Sequence, residues 1–198
     1  METFRMVFEV AFPLFLIMDP IANSTASLAI LRNVPASRQR RILLRELLIA
    51  LAIMFVFQLL GQRLLNLLDI EQSTLRLAGG FILFIISLKL VFPEDRGSLE
   101  AHTRDPFIVP IATPFIAGPS LLAAIMLYAH RDLGPYVLLA AILLAWVATV
   151  AIMLLSTTLK DVLGERGSRA AERLMGLILI LLAVQMLEEG VRMFVESL

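Results

Sequence analysis

The chain of 198 residues contains no cysteine. That excludes disulfides, thiolate metal sites and cysteine nucleophiles, and leaves the compartment open. Its two histidines, His102 and His130, fall at loops or span ends, and neither has companions at metal-ligand spacing. No serine sits in a Gly-x-Ser-x-Gly turn, and there is no phosphate-cradling P-loop. No catalytic constellation is visible. The expectation is a protein that is not an enzyme, has no cofactor or metal, and does not couple to ATP within this chain. The formal net charge is zero, so nothing suggests a nucleic-acid partner.

What the chain has in abundance is apolar sequence. Hydrophobic residues make up 59% of it, and the mean hydropathy is +0.87. Soluble domains of this size are not so apolar. Several runs reach the roughly 20 apolar residues that a bilayer span requires. The class is a polytopic all-α membrane protein. The first apolar stretch does not read as a signal peptide: Glu2 and Arg5 give no distinctly basic start, Asp19 interrupts it, and no clean small-x-small site follows.

Six spans are expected, at 4–31 (broken at 19–20), 42–62, 73–92, 106–129 (broken at 118–119), 134–159 and 172–195. Arg76 and Lys89 bracket the third, and Arg173 and Glu188 the sixth. Arg32, Arg38, Arg40, Arg41, Arg45, Lys89, Arg96, Arg104, Lys160, Arg166, Arg169 and Arg173 fall on one side, which is 12 of the 17 basic residues. The positive-inside rule makes that side cytoplasmic and turns both termini outward.

The halves resemble each other. Arg76-Leu-Ala-Gly-Gly aligns with Arg173-Leu-Met-Gly-Leu at an offset that also pairs Pro13 with Pro110. A two-residue shift pairs Asp19-Pro20 with Gly118-Pro119. Three spans per half is an odd number, so the second half enters from the opposite side, as in inverted-topology repeats. The chain reads as a single integral membrane domain, 1–198. Repeat one is 1–92, the polar cytoplasmic linker is 93–105, and repeat two is 106–198.

The paired proline breaks mark the candidate site. Proline removes a backbone donor, and freed backbone at membrane depth is tolerated only beside protein or a watery cavity. Pro20 and Pro119 each suit the first turn of a new half-helix, whose free amides favour a carboxylate. Asn23, Ser24 and Thr25 follow one break and Ser120 the other. Two roles fit Asp19. It is a coupling or substrate-binding carboxylate, or it caps the second half-helix by accepting from the amides at 21 and 22. Ala141, Ala145 and Ala148 form a small-residue stripe for close packing, as do Gly79, Gly80 and Gly176. Trp146 lies mid-span and reads as a packing residue.

Met18-Asp-Pro-Ile-Ala-Asn23, Thr74-Leu-Arg-Leu-Ala-Gly-Gly80, Val109-Pro-Ile-Ala-Thr-Pro-Phe-Ile-Ala-Gly-Pro119 and Glu172-Arg-Leu-Met-Gly176 together resemble the MarC family of bacterial inner-membrane proteins. The Asp-Pro form and Arg45-Glu-Leu-Leu-Ile-Ala-Leu51 look most like its YhgN-type branch. The resemblance covers nearly the whole chain. It implies six spans, a bacterial inner (plasma) membrane location and, from the label its members commonly carry, transport of small neutral amino acids. Carried over by position, the family's segments fall on Asp19, Pro20 and Asn23, then on Gly118 and Pro119. The chain departs from the family pattern in having Ala22 where glycine is expected, and Ser120 after the second Gly-Pro.

The resulting expectation is a secondary transporter whose partners are a small-molecule solute, membrane lipid, and a coupling proton or sodium ion. The substrate site is expected where the breaks meet, from Asp19, Pro20, Asn23, Ser24, Thr113, Gly118, Pro119 and Ser120. Alternating access would be rocking of one repeat against the other. The competing expectation is a non-transporting membrane protein that binds lipid or scaffolds a complex, its five-arginine loop meeting anionic headgroups.

Overall fold

The structure, a computed structural model, describes residues 2–31, 34–92, 116–129, 133 and 135–197. The expected linker 93–105 and the first half of the expected fourth span, Thr113 included, lie outside the described residues. The described residues form seven helices and no strand. They are α1 (Glu2–Met18), α2 (Pro20–Ile30), α3 (Ala36–Leu67), α4 (Gln72–Val91), α5 (Pro119–Ala129), α6 (Pro135–Leu154) and α7 (Ser156–Glu196). Four stretches are long and apolar enough to cross a membrane: Arg38–Leu67, Gln72–Val91, Tyr136–Leu154 and Gly167–Glu196.

Local chemistry sets the helix ends. The helical rise makes the 32 residues of α3 about 48 Å long, well beyond the roughly 30 Å hydrocarbon core. Its first turns, with Arg38, Arg40 and Arg41, therefore stand outside the apolar layer. Gln39 donates from Nε2 to Leu31 O at 2.9 Å and Val34 O at 2.8 Å, which closes the tight turn between α2 and α3. At the far end of the chain the helix begins earlier than the apolar pattern indicates. α6 stops at Leu154, short of the expected end of the fifth span at 159, and α7 starts at Ser156 and continues through the polar stretch expected to connect that span to the sixth. Gly164, at φ 64° and ψ 178°, interrupts α7 ahead of its spanning part. Glycine alone adopts that backbone cheaply.

The tightest packing joins α4 to α7. A methyl group at Gly80 would lie 3.1 Å from both Ala183 O and Leu187 N; one at Gly176 would lie 2.9 Å from Leu90 Cβ and 3.2 Å from Ser87 O; one at Gly190 would lie 3.1 Å from Leu77 N. Pairing Leu77 with Gly190, Gly80 with Leu187, and Leu90 with Gly176 requires the helices to run antiparallel, backbone against backbone. Lipid tails are as apolar as leucine, so close contact between small residues replaces the hydrophobic drive that pairs helices in water.

The other helices assemble around a core of Val10, Leu14, Met18, Met54, Leu121, Ile125, Ile142 and their neighbours. Here α1 packs on α6, and α3 on both α5 and α6. Ala141 and Ala145 of the alanine stripe are fully buried in it. Trp146 packs between this core and a second one around Leu47 and Met153, and its Nε1 donates to Leu47 O at 2.8 Å. The strongest contacts join a helix from one half of the sequence to a helix from the other: α1 with α6, α3 with α5, α4 with α7.

A substitution at the glycine seam tests this packing. Gly80→Val should lower the stability of the purified protein by about 1–3 kcal/mol, because backbone atoms cannot move aside as a side chain can. Leu181→Ala, at a residue 71% exposed, should change it by less than about 0.5 kcal/mol. Unfolding midpoints in one detergent compare the two.

Candidate solute site

Two polar regions lie within the helical bundle. The first is the joint between α1 and α2. Asp19 sits there at φ 42° and ψ 65°, a left-handed backbone. Asp and Asn are the side-chain-bearing residues that enter this region most readily. Its N–H donates to Leu16 O at 3.0 Å, and its carbonyl accepts from Asn23 N at 3.0 Å. Its carboxylate accepts from Ala22 N at 3.3 Å, so Asp19 is the N-cap of α2 with Pro20 at the first helical position. The left-handed residue is Asp19, and Ala22 lies inside regular helix, so alanine fits at 22 without a glycine's freedom.

The break leaves the Met18 carbonyl without a helical partner, and a neighbouring side chain takes it up; hydroxyls of α2 bond back to their own helix. Asn23 Nδ2 donates to Met18 O at 2.6 Å. Ser24 Oγ donates to Ile21 O at 2.8 Å. Thr25 Oγ1 stands 2.9 Å from Ala22 O and 2.6 Å from Glu172 Oε1 on α7. A hydroxyl has one proton to give, and the shorter, charge-assisted contact with the carboxylate is the stronger. Glu172 is buried, 7% exposed. Thr149 of α6 closes the joint from the other side, its Oγ1 at 3.3 Å from Met18 Sδ.

The positions singled out in the sequence are distributed as follows. Asp19, Pro20, Asn23 and Ser24 are buried in this joint. Gly118 and Ser120 are buried and Pro119 is exposed. Gly118 has no positive φ, so the backbone at Gly118-Pro119 differs from that at Asp19-Pro20. Met18 and Leu121, beside these two prolines, belong to the same buried core.

The second polar region is a cavity of about 180 Å³. Pro13 and Ile17 of α1 and Ala124, Leu127 and Tyr128 of α5 form one wall; Arg76 of α4 and Leu182, Gln185, Met186 and Glu189 of α7 form the other. Arg76 and Glu189 are ion-paired, with side chains 12% and 38% exposed. Pro13, inside α1, removes one helical hydrogen bond beside the cavity. Glu172 and Glu189 escaped sequence reasoning as site residues. Each stands in an apolar span close to its polar end, where a carboxylate looks like an interface residue. The antiparallel match of α4 to α7 was the signal that would have placed Glu189 opposite Arg76.

Residues 4–195 match the family model described as MarC family integral membrane protein. The chain belongs to the MarC family. It is 42% identical over 196 residues to the UPF0056 inner membrane protein YhgN of Escherichia coli, covering 96% of this chain and 98% of that protein. It is also 42% identical to a UPF0056 membrane protein of Buchnera aphidicola from Schizaphis graminum, over 93% of this chain and 95% of the relative. A UPF0056 membrane protein of Chlamydia pneumoniae is 27% identical over 89% of both chains. No solved structure matches the chain significantly. Membership in this family and the four apolar helices together make the chain a multi-pass membrane protein.

The capping geometry sets an expectation for position 19. Asp19→Asn keeps an oxygen for the Ala22 amide and tolerates the left-handed backbone, so its stability should stay within about 0.5 kcal/mol of the parent. Asp19→Ala loses both features and should cost about 2 kcal/mol. Denaturant unfolding in bicelles distinguishes the two, and equal losses for both variants would contradict the capping role.

Proposed function

We propose that this protein is a secondary transporter of small polar solutes across the bacterial inner membrane, with neutral amino acids the solute class that fits best. The observation that carries the reading is the cavity between α1 and α5 on one side and α4 and α7 on the other, charged on one wall and apolar on the other. Its size suits a small solute; pockets for drug-sized ligands run from about 300 Å³ upward. The inner-membrane location is supported by the relative that carries that description. The distribution of basic residues supports a cytoplasmic face at the α2–α3 turn and outward termini.

The contact pattern supports an inverted repeat with spans one and four broken. A pseudo-twofold that exchanges the halves, matching Pro20 to Pro119 and so α2 to α5, turns the α2–α6 contact into the α3–α5 contact. It turns the packing of α7 on α2 into that of α4 on α5. It leaves the α4–α7 and α3–α6 contacts in place. The bodies that move are then not the sequence halves. One is the α4–α7 pair, a span from each half; the other is the bundle of α1, α2, α3, α5 and α6. The cavity lies between them, and so does the Thr25–Glu172 contact. Alternating access in this reading is movement of the pair against the bundle. Asp19, at the hinge-like joint, is the coupling carboxylate and a helix cap at once.

A lipid-binding role has one observation in its favour: Arg169 and Arg173 border an open hollow on α7 beside Leu174 and Leu177, an arrangement suited to an anionic headgroup.

Radiolabelled alanine, serine and glycine fluxes in proteoliposomes, with and without a proton or sodium gradient, test the proposal. Gradient-driven uptake of at least one of them is expected, and Asp19→Asn should reduce it by about tenfold or more while remaining folded, since an amide caps but carries no proton. Absence of flux above empty liposomes, from protein shown to be folded, would remove the transport reading in favour of lipid binding.

A further inference from the structure

Arg76 and Glu189 are a cation and an anion held side by side by the α4–α7 seam, on one wall of a partly open cavity. Arg76 is 12% exposed, too buried to be an ordinary interfacial arginine. The pair is next in sequence to the glycine contact of Leu77 with Gly190, so backbone packing fixes both side chains at the same depth. The opposite wall, from Pro13, Ile17, Ala124, Leu127 and Tyr128, offers no charge and, apart from the Tyr128 hydroxyl, suits a short aliphatic group.

From this arrangement we infer that the Arg76–Glu189 pair is the recognition site for a small zwitterion, Arg76 taking its carboxylate and Glu189 its ammonium. The argument is electrostatic. Separating a partly buried ion pair leaves two uncompensated charges, which is strongly unfavourable. A solute with only a carboxylate would satisfy Arg76 and strand Glu189, and a solute with only an ammonium would do the reverse. A solute carrying both groups a few bonds apart exchanges partners with the pair, and every charge stays compensated. The planar guanidinium also matches a carboxylate in two-pronged geometry. Gln185, on the same helix one turn before Glu189 and lining the same cavity, adds a neutral donor and acceptor. The inference rests on the transport reading and places its solute beside α4 and α7, away from the proline breaks.

The absence of native cysteine makes the test direct. A single cysteine at Leu182, an apolar position lining the cavity, removes no polar partner of the pair, and its rate of labelling by a methanethiosulfonate reagent reports occupancy of the cavity. Saturating alanine is expected to slow labelling by about fivefold or more, while propionate and ethylamine, its single-charge counterparts, leave the rate unchanged. Adding Arg76→Gln or Glu189→Gln should abolish the protection. Equal protection by propionate or ethylamine would overturn the zwitterion assignment. Alanine flux without any protection of the cysteine at 182 would overturn this site and leave the transport reading standing. Neither flux nor protection, in folded protein, would remove both. Should the glutamine variants fail to fold, the single-cysteine comparison of the three solutes still decides the matter.

Discussion

The close antiparallel contact of α4 with α7 is the constraint on which the rest of the molecule depends. In a bilayer, apolar side chains gain little by leaving lipid for one another, so helices associate through shape and through polar contacts. Gly80, Gly176 and Gly190 remove the side chains that would hold the two backbones apart. The seam then sets the depth of every group on its faces. It brings Arg76 against Glu189 at one end. Toward the other end it holds Glu172 where Thr25 of α2 reaches it. Both polar regions of the bundle are therefore built on a contact that glycines let close, with Leu83, Leu179 and Ala183 buried along it.

The second element is the proline joint. Pro20 ends the hydrogen-bond ladder of α1, and the chain compensates locally. Asp19 takes the left-handed backbone and caps α2, Asn23 takes the Met18 carbonyl, and Thr25 links the joint to α7. None of these groups needs bulk water, which agrees with the rule that irregular backbone survives at membrane depth only when protein satisfies it. A break so supported is suited to bending with its ends still satisfied, and it lies at the boundary between the α4–α7 pair and the remaining helices.

Much of this was legible in the sequence, because length, apolarity and proline act locally. The span at 42–62 falls inside α3, the span at 73–92 matches α4 to within one residue at each end, and the break at Asp19-Pro20 is where α1 gives way to α2. The shared Arg-Leu-x-Gly of residues 76–79 and 173–176 marked the two helices that pack together. Other features were illegible for a physical reason: they depend on which helix meets which. Nothing near Glu172 in sequence indicates Thr25, 147 positions away, and Glu189 reads as an interfacial carboxylate until α4 is laid against α7. The interlocking of the halves was hidden in the same way, since a repeat specifies equivalent positions and not which of them touch. Helix before Gly164 was missed because polar residues form helix outside the apolar layer without an apolar pattern to reveal it.

The central claim is that α4 and α7 move as one body against the other helices. Spin-label distances in liposomes test it most directly, with labels on exposed positions of the cysteine-free chain: Lys89 of α4 with Arg169 of α7, and Lys89 with Arg40 of α3. The account predicts that saturating alanine leaves the Lys89–Arg169 distribution unchanged and shifts the Lys89–Arg40 distribution. A Lys89–Arg169 distance that changes as much as the other, or two distances that never change, would contradict it.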